Sequence, residues 1–390
     1  MLPLSCFFYA LAMSTSTVIV GLNGALQKRF ILGKGSSLVP GDVHRAIDVQ
    51  FGVGGKGQDV SISLSCLNYP DTKIAQFVGS GSEGEMVLDL LKSRLGESAA
   101  TTLTTRTKSP MRTCTTIVAT DMATELVEPS GAVTDTERNE FVENLKTSLN
   151  DVSALCFMGS MPPGLPDDMY AIICKTLSSP NTLCLIDSVI GLEALLSVLT
   201  NRQGLLKINA SELCKLVAVK KSSSEAGGIK LSELEEAVKK FIENFPNAKQ
   251  ALAGLALTDG KHPSHLVSFD EQGYEIFQID TPMLDSTSTL YPVGAGDSVA
   301  AGTLACWKTV HYEDNSLGKD FVKEISERIA KSVHGSKQTR MLEASFAFGL
   351  ACGSASCLCE DNSVFRVDDV LGLFRSIPSS RLVSKLPVPN

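Results

Sequence analysis

The chain has 390 residues, a formal net charge of −8 and 43% hydrophobic residues. This length and apolar content are sufficient for a large core, and the acidic balance argues against general nucleic-acid binding, which needs a basic face. The eleven cysteines lack the spacing of a disulfide framework, which favours a reducing compartment and buried thiols. Cys352, Cys357 and Cys359 lie close together, but their small neighbours favour a packed helix over a metal site.

The first segment, residues 1–13, is apolar but too short to span a bilayer, and it lacks the basic start of a signal peptide. We expect either a vestigial leader or a start site upstream of Met13. No later segment approaches the length of a transmembrane span. The sequence thus predicts a cytoplasmic protein without membrane contact, and it leaves organellar import through the short leader as an alternative.

From Thr17 onward, strand candidates alternate with helical segments. The predicted strands include residues 17–22, 73–78, 154–158, 182–186, 205–208 and 250–257, and the predicted helices include 58–67, 85–95, 166–177, 192–199, 212–217 and 231–244. Such alternation predicts an α/β fold with a mostly parallel sheet covered on both faces. Two β-like stretches, about residues 27–51 and 104–128, lack an intervening helix and are predicted to pair into a small projecting sheet.

The stretch from Pro292 to Ser298 is a glycine-rich turn that leads into a run of small and apolar residues. Free N–H groups at Gly294, Ala295 and Gly296, together with the positive end of a helix dipole, would form an anion site. The carboxylate of Asp297 would repel a bound phosphate, which suggests a separate role such as accepting a proton from an attacking hydroxyl. An ordinary helix start, where Asp is common, is the alternative.

Two segments match the dinucleotide-binding pattern G-x-G-x-x-G, and Asp71 follows the first at a distance suited to a ribose-binding acid. The two matches are Gly52/Gly54/Gly57 and Gly79/Gly81/Gly84. A nicotinamide-dependent enzyme is therefore an alternative. Against it, the pattern arises readily by chance in a glycine-rich chain, and Lys56 in the first turn suits an anionic group. There is no P-loop motif.

Three further segments could bind phosphate or metal. Gly159–Gly164 follows a strand, and its N–H groups and the Ser160 hydroxyl could hold a phosphate, although an unremarkable turn explains it equally. Arg112 could be a phosphate fork or a surface charge. Asn209 and Glu212 have the spacing of a capping box, and the alternative is that they surround hydrated Mg²⁺.

Taken together, these motifs resemble the PfkB family of carbohydrate kinases, which has the ribokinase-like fold. The first signature of the family resembles Gly54–Asp59, the second resembles Gly294–Asp297, and its Asn-x-x-Glu motif resembles Asn209–Glu212. The sugar-phosphate branch, with 1-phosphofructokinase and tagatose-6-phosphate kinase, is similar at Gly21–Gln27, Arg112–Thr116 and Gly159–Gly164. The resemblance extends from Val18 to about Leu373.

The resemblance implies a three-layer αβα domain over residues 14–380, with the stretches 27–51 and 104–128 as a β lid over the sugar. It implies ATP-dependent phosphorylation of a hydroxyl on a ketohexose phosphate, such as fructose 1-phosphate or tagatose 6-phosphate. Asp297 would be the base, and Gly294, Ala295 and Gly296 would form the anion hole. Mg²⁺ would be required, and two copies of the chain could pair through the lid.

The resemblance also implies the other site residues. The nucleotide would contact Lys207, Asn209, Thr258, Gly260 and Ser354. The waters of Mg²⁺ would be held by Asn209 and Glu212, with Asp187 as a further candidate. The sugar phosphate would contact Asn23, Gln27, Gly54, Gly55, Lys56, Asp59, Arg112, Gly159 and Ser160.

The sequence departs from the family pattern at the sugar end of the site. Gln27 replaces an Asp that binds sugar hydroxyls, Gly24 replaces a Pro, and Asp59 replaces an Asn. Near the nucleotide, Pro263 replaces a glycine. These departures leave two alternatives open within the resemblance, namely a kinase of another sugar or small polyol, and a catalytically idle member that serves as a binding protein.

Overall fold

The computed structural model describes residues 16–33, 35–120, 123–222, 228–270, 273–285 and 289–387. The predicted leader lies outside these residues. The described strands are β1 (Ser16–Val20), β2 (Ala25–Leu32), β3 (Ala46–Gly54), β4 (Thr72–Ser80), β5 (Leu103–Pro110), β6 (Thr113–Val118), β7 (Ala123–Val127), β8 (Val152–Met158), β9 (Leu183–Asp187), β10 (Gly204–Asn209), β11 (Leu252–Asp259), β12 (His262–Phe269), β13 (Gly273–Ile279) and β14 (Arg381–Pro387). The described helices are α1 (Lys56–Cys66), α2 (Ser82–Leu95), α3 (Glu97–Thr101), α4 (Asp135–Ser148), α5 (Met169–Leu177), α6 (Leu192–Leu196), α7 (Ala210–Leu216), α8 (Leu231–Asn244), α9 (Ala248–Ala251), α10 (Ala295–Tyr312), α11 (Lys319–Lys331), α12 (Lys337–Ser356) and α13 (Val367–Ser376).

Ten strands form a large sheet in the order β14-β13-β12-β11-β10-β9-β8-β1-β4-β5. The strands from β11 to β5 pair in parallel, and β12, β13 and β14 are added antiparallel. The chain leaves β1 toward β4 and later returns on its other side with β8. The strand order therefore reverses at β1, and such a switch point opens a crevice at the carboxyl ends of the strands.

Helices cover both faces of the large sheet and bury two cores. One core includes Phe141 of α4, Tyr170 of α5 and Phe241 of α8. The other includes Trp307 of α10 and Phe348 of α12. Hydrophobic burial on both faces explains why the parallel strands are continuous apolar runs. The predicted three-layer α/β fold is confirmed.

The remaining four strands form a separate sheet in the order β3-β2-β6-β7, which we call the small sheet. Both strands that form in the first irregular stretch predicted from the sequence, β2 and β3, belong to it. In the second stretch, only β6 and β7 belong to it, because β5 pairs with β4 at the edge of the large sheet. The β character of residues 104–128 was visible in the sequence, but the pairing partner of each strand depends on contacts with distant segments.

The long helices α10 and α12 pack closely through small residues. A Cβ atom on Gly302 would lie 2.6 Å from Sγ of Cys352, and one on Gly349 would lie 2.1 Å from Oγ1 of Thr303. Cys352 is therefore part of a tight helix–helix contact, as the composition of this segment indicates. In the described parts of the chain, no helix is long and apolar enough to cross a membrane.

Candidate active site

A cleft of about 500 Å³ opens at the carboxyl ends of the central strands, between the large and small sheets. Most of the residues that the sequence analysis selected line it. They are Asn23, Gln27, Gly54, Gly55, Lys56, Asp59, Arg112, Gly159, Ser160, Asp187, Glu212, Gly294 and Asp297. Folding thus brings together segments that are separated by up to 274 positions, from Asn23 to Asp297.

The glycine-rich turn begins α10 and forms one wall of the cleft. Gly294 is the N-cap with φ of 81°, and a Cβ there would lie 2.3 Å from Oγ of Ser363, so only glycine fits. The N–H group of Ala295 donates to the carbonyl of Pro292 at 3.2 Å. The N–H groups of Gly296 and Asp297 lie in the first helical turn, where no preceding helical carbonyl is available. The N–H groups of Gly296 and Asp297 are therefore better placed to bind an anion at this turn than that of Ala295.

Asp187 lies between two lysines beside this turn. Its Oδ1 accepts a hydrogen bond from Nζ of Lys56 and its Oδ2 accepts one from Nζ of Lys207, both at 2.6 Å. Burial raises the pKa of the Asp187 carboxyl, but Lys207 and Lys56 outweigh this effect and hold it below its usual range. Burial lowers the pKa of Lys56, but the negative charge of Asp187 and its hydrogen bond to Lys56 have a larger effect. The pKa of Lys56 is therefore raised to about 12. Each oxygen of Asp187 already accepts a charged hydrogen bond, so a metal bound there would lie against two ammonium groups.

Asn209 and Glu212 form the capping box of α7. Oδ1 of Asn209 accepts from the Glu212 N–H and Oε2 of Glu212 accepts from the Asn209 N–H, each at 2.8 Å. The other oxygen of Glu212, Oε1, is 3.9 Å from Nζ of Lys56, and Glu212 lines the cleft. The capping interpretation is confirmed, and it still leaves one carboxylate oxygen for a hydrated cation.

The carboxyl group of Asp297 has an unusual environment. Burial and the negative charge of Asp187 raise its pKa to about 7, although Lys207 and Lys56 act in the opposite direction. Asp59 is buried on α1 in the same cleft, and burial and the charge of Asp297 hold its pKa well above the usual range. Oδ1 of Asp59 has no hydrogen-bond partner among the described residues. One of these two acids can therefore be ionised near neutral pH while the other remains protonated.

A second polar cluster lies where the strand order reverses. Nδ2 of Asn23, just after β1, donates to Oγ of Ser160, just after β8, at 2.9 Å. Arg112 donates from Nη2 to the carbonyl of Asn23 at 2.8 Å and from Nε to that of Gly24 at 3.2 Å. These two bonds orient the guanidinium and do not use Nη1. The cluster presents amide, hydroxyl and guanidinium groups together, which is the donor set for a phosphate.

The small sheet contributes a wall of mixed character. Gln27, Cys114 and Val127 are cross-strand neighbours on β2, β6 and β7 and line the cleft. The side-chain amide of Gln27 donates to Oγ1 of Thr116 at 2.6 Å, so its Nε2 is already used within the sheet. Sequence reasoning missed Glu125 of β7, which also lines the cleft. Only knowledge of the strand register would have shown that Glu125 faces the cleft.

Gln58 and Asn362 are among the other lining residues that the sequence analysis missed. Gln58 lies beside the Gly54–Gly57 turn, and its Nε2 donates to the Gly21 carbonyl at 3.0 Å, which fixes the start of α1 against the end of β1. Its position next to the glycine signature was a usable signal. Asn362 lies in the loop between α12 and α13 and carried no motif.

The residues predicted to bind the nucleotide lie beyond the cleft. Thr258 of β11 is in register with Asn209 of β10, and Gly260 forms the following turn with φ of 61°. Ser354 is buried in α12, next to Gly353, on which a Cβ would lie 2.8 Å from the Ala295 carbonyl. Lys207 approaches the same turn, since a Cβ on Gly296 would lie 3.3 Å from its Nζ. Their contacts with a nucleotide stay a prediction.

The positions of the dinucleotide-like motifs do not favour the nicotinamide alternative. The first copy starts inside β3 of the small sheet, not after a strand of the large sheet. The second copy extends from the end of β4 into the first turn of α2 and does not line the cleft. Asp71 precedes β4, so it lies at the amino ends of the strands, on the opposite edge from the cleft.

Comparison with known proteins gives a family match over most of the chain. The family model described as pfkB family carbohydrate kinase matches residues 28–364. Phosphofructokinase-2 from Escherichia coli in complex with fructose-6-phosphate is similar in structure, with a TM-score of 0.67, 19% identity, and coverage of 93% of this chain and 98% of that chain. Another structure of that enzyme is its tetrameric inhibited form.

Two proteins from Thermotoga maritima are also similar. A possible 1-phosphofructokinase has a TM-score of 0.66 and 18% identity, and the match covers 95% of this chain and 100% of that chain. A ribokinase has a TM-score of 0.61 and 15% identity, with coverage of 93% and 100%. At these identities the structural matches demonstrate the shared ribokinase-like fold.

Proposed function

The chain belongs to the pfkB family of carbohydrate kinases, and we propose that it phosphorylates a hydroxyl of a ketohexose phosphate, such as fructose 1-phosphate or tagatose 6-phosphate. The observation that carries the proposal is the cluster of Asn23, Arg112 and Ser160 in the same cleft as Asp297. A free sugar would not require a guanidinium there. The complex of the Escherichia coli enzyme with fructose-6-phosphate supports a sugar phosphate as acceptor.

Asp297 is the proposed base. With a pKa raised to about 7, its carboxylate is basic enough to take the proton of the acceptor hydroxyl and is substantially ionised at neutral pH. The N–H groups of Gly296 and Asp297, with Nζ of Lys207 close to the turn, would stabilise negative charge on the transferred group. Phosphoryl transfer depends mainly on such positioning and charge neutralisation.

ATP is the proposed phosphoryl donor, and Mg²⁺ bound to it would neutralise the charge of its phosphates. The residues of the cleft suit an ion that keeps most of its water ligands better than an ion that is coordinated mainly by protein side chains. No group of three or more His, Cys, Asp or Glu side chains with metal-binding geometry occurs among the described residues. Oε1 of Glu212 is the carboxylate oxygen that we assign to the waters of the ion, because each oxygen of Asp187 already lies against an ammonium group.

We further propose that two copies of the chain pair through the small sheet. Its outer face bears Phe51, Lys28 and Leu126 in neighbouring strands, and Phe51 and Leu126 are 47% and 58% exposed. The tetrameric form of the Escherichia coli enzyme supports self-association. Light scattering should show a dimer that Leu126→Glu converts to a monomer, while Val333→Glu, at another exposed apolar residue, leaves it dimeric. A monomeric native chain contradicts this proposal.

The function is tested by ADP release with ATP and a panel of ketose phosphates, free ketoses and small polyols. Phosphorus NMR of the product should identify a second phosphate ester on a ketohexose phosphate. Asp297→Asn should lower kcat by about 10²- to 10⁴-fold, the usual contribution of a positioned base. Turnover only of a free sugar or polyol would contradict the proposed acceptor. No turnover of any compound by the native chain would favour the idle binding protein.

A further inference from the structure

The loop between α12 and α13 contacts both the small sheet and the turn that carries Asp297. We call residues Glu360–Ser363 the strap. On the side of the small sheet, Arg29 of β2 donates to the Glu360 carbonyl, and its Nη2 donates to Oδ1 of Asp361 at 3.2 Å. Nε2 of Gln50 on β3 donates to Oε1 of Glu360 at 2.8 Å. Two strands of the small sheet are thus attached to the strap.

The same segment is attached to the body of the molecule. Oδ2 of Asp361 accepts from Nη2 of Arg94 on α2 at 2.9 Å, so one carboxylate joins an arginine of the small sheet to an arginine of the body. The carbonyl of Ser363 accepts from Oγ of Ser63 on α1 at 2.8 Å. The side chain of Arg29 is only 10% exposed. The guanidinium of Arg29 therefore needs the carboxylate and carbonyl of the strap as partners more than a solvent-exposed arginine would.

The far end of the strap supports the catalytic turn. Oγ of Ser363 donates to the Gly294 carbonyl at 3.1 Å, and Ser363 is completely buried with φ of 58°. A left-handed conformation is unfavourable for a residue other than glycine and persists only where surrounding contacts hold it. Because the backbones of Ser363 and Gly294 are in close contact, a shift of the strap would displace the turn.

We propose that the strap couples closure of the small sheet over the acceptor to the alignment of the Gly294–Asp297 turn. Asp361 is the positioning residue for the small sheet, and Ser363 is the positioning residue for the turn. When the bound acceptor keeps the small sheet closed, Arg29 and Gln50 hold the strap in place through their hydrogen bonds. Ser363 of the strap then holds the Gly294 carbonyl in place. Without these contacts the turn is less ordered, so transfer to water is suppressed until the acceptor is bound. This inference rests on the proposed function.

The two ends of the strap predict different kinetic effects. Asp361→Asn removes the charge that joins Arg29 to Arg94, so the acceptor KM should rise about three- to tenfold with a smaller change in kcat. Hydrolysis of ATP without acceptor should not exceed the native rate, because loss of the strap contacts leaves the turn less ordered. Ser363→Gly relieves the left-handed backbone and removes the hydroxyl, so kcat should fall while the acceptor KM is retained. A purely structural role would not separate KM from kcat in this way.

Glu85→Gln is the matched control, because it breaks an arginine–carboxylate contact of 2.6 Å that lies wholly within the body, between α2 and Arg106 of β5. It should leave both kinetic constants unchanged.

Hydrogen exchange followed by mass spectrometry tests the strap without reference to activity. In Asp361→Asn, amides of residues 25–32 and 46–54, and of the turn at 294–300, should exchange faster than in the native chain and in Glu85→Gln. Native exchange rates in Asp361→Asn would contradict the proposal that the strap couples the small sheet to the turn. Faster exchange, together with no turnover of any sugar phosphate by the native chain, would support the coupling through the strap and contradict the proposed function.

Discussion

Nζ of Lys56 lies 2.6 Å from Oδ1 of Asp187, although the two residues are 131 positions apart in the chain. Lys56 begins α1, in the glycine signature, and Asp187 ends β9. A single buried carboxylate thus joins the segment proposed to bind the sugar to Lys207, near the catalytic turn. The charge balance of the cleft depends on this arrangement.

Loss of Asp187 should destabilise the fold. Asp187→Asn removes the carboxylate that pairs at 2.6 Å with the buried ammonium group of Lys207, and the unfolding free energy should fall by about 3–5 kcal/mol. Denaturant unfolding at pH 7 measures this. Glu243→Gln, which removes an exposed helical pair with Lys239, should cost less than about 0.5 kcal/mol. Equal unfolding midpoints for Asp187→Asn and the native chain would contradict the prediction.

The same variant has a predictable pH dependence. The pKa of Asp187 is lower in the folded chain than its ordinary value of 3.8. Its contribution to stability is therefore complete above pH 3.8 and is lost as the pH falls through the folded pKa. The part of the stability difference between the native chain and Asp187→Asn that comes from ionisation of Asp187 should narrow only below about pH 4, whereas Asp297, whose pKa Asp187 raises, makes the difference vary near neutrality.

The rate of phosphoryl transfer should decrease in acid because Asp297 must be ionised. With a pKa of about 7, kcat/KM should fall tenfold for each pH unit below that value. Initial rates between pH 5 and pH 8 with saturating ATP provide the measurement. A rate that stays level down to pH 5 would show that Asp297 is not the base.

Asp59 should limit the rate in alkali. Its pKa lies well above the usual range, so it keeps its proton to a higher pH than an ordinary aspartate and, while protonated, can donate a hydrogen bond to the acceptor. Ionisation at higher pH adds negative charge beside Asp297, and native activity should decline there. Asp59→Asn should retain activity in alkali, while Glu85→Gln, which removes a carboxylate that pairs with Arg106 outside the cleft, should keep the native profile. Identical profiles for Asp59→Asn and the native chain would contradict this.

Asp59 should also affect the pH dependence of stability, in the opposite direction to Asp187. Between pH 3.8 and the raised pKa of Asp59, the folded chain binds a proton that the unfolded chain has lost, so stability falls as the pH rises. Asp59→Asn should therefore stabilise the fold most in alkali. Thermal unfolding at pH 6 and pH 9 compares the two chains.

Arg112 should determine affinity for the acceptor phosphate. Arg112→Ala should raise the acceptor KM by about 30- to 150-fold, the equivalent of about 2–3 kcal/mol for a charged phosphate contact, and leave the ATP KM nearly unchanged. Arg106→Ala, at an arginine that pairs with Glu85 outside the cleft, is the control. An unaltered acceptor KM in Arg112→Ala would mean that Arg112 only supports the backbone of Asn23 and Gly24.

Much of the fold and of the candidate site was predictable from local sequence. The alternation of apolar strands and helices predicts the parallel sheet, because burial on both faces requires continuous apolar runs. The glycine turns at Gly54 and Gly294 and the capping box of Asn209 and Glu212 can be recognised from neighbouring residues alone. Their chemistry could therefore be inferred before any contact was known.

Tertiary structure decided which of these groups act on each other. No local pattern shows that Asp187 pairs with two lysines, that Arg112 bonds to the carbonyl of Asn23, or that β5 joins the large sheet. The pKa of Asp297 depends on burial and on Asp187, which comes from another strand. Sequence determined the groups and the local turns, because these need only adjacent residues, whereas distances, burial and charge coupling arise only when remote segments pack together.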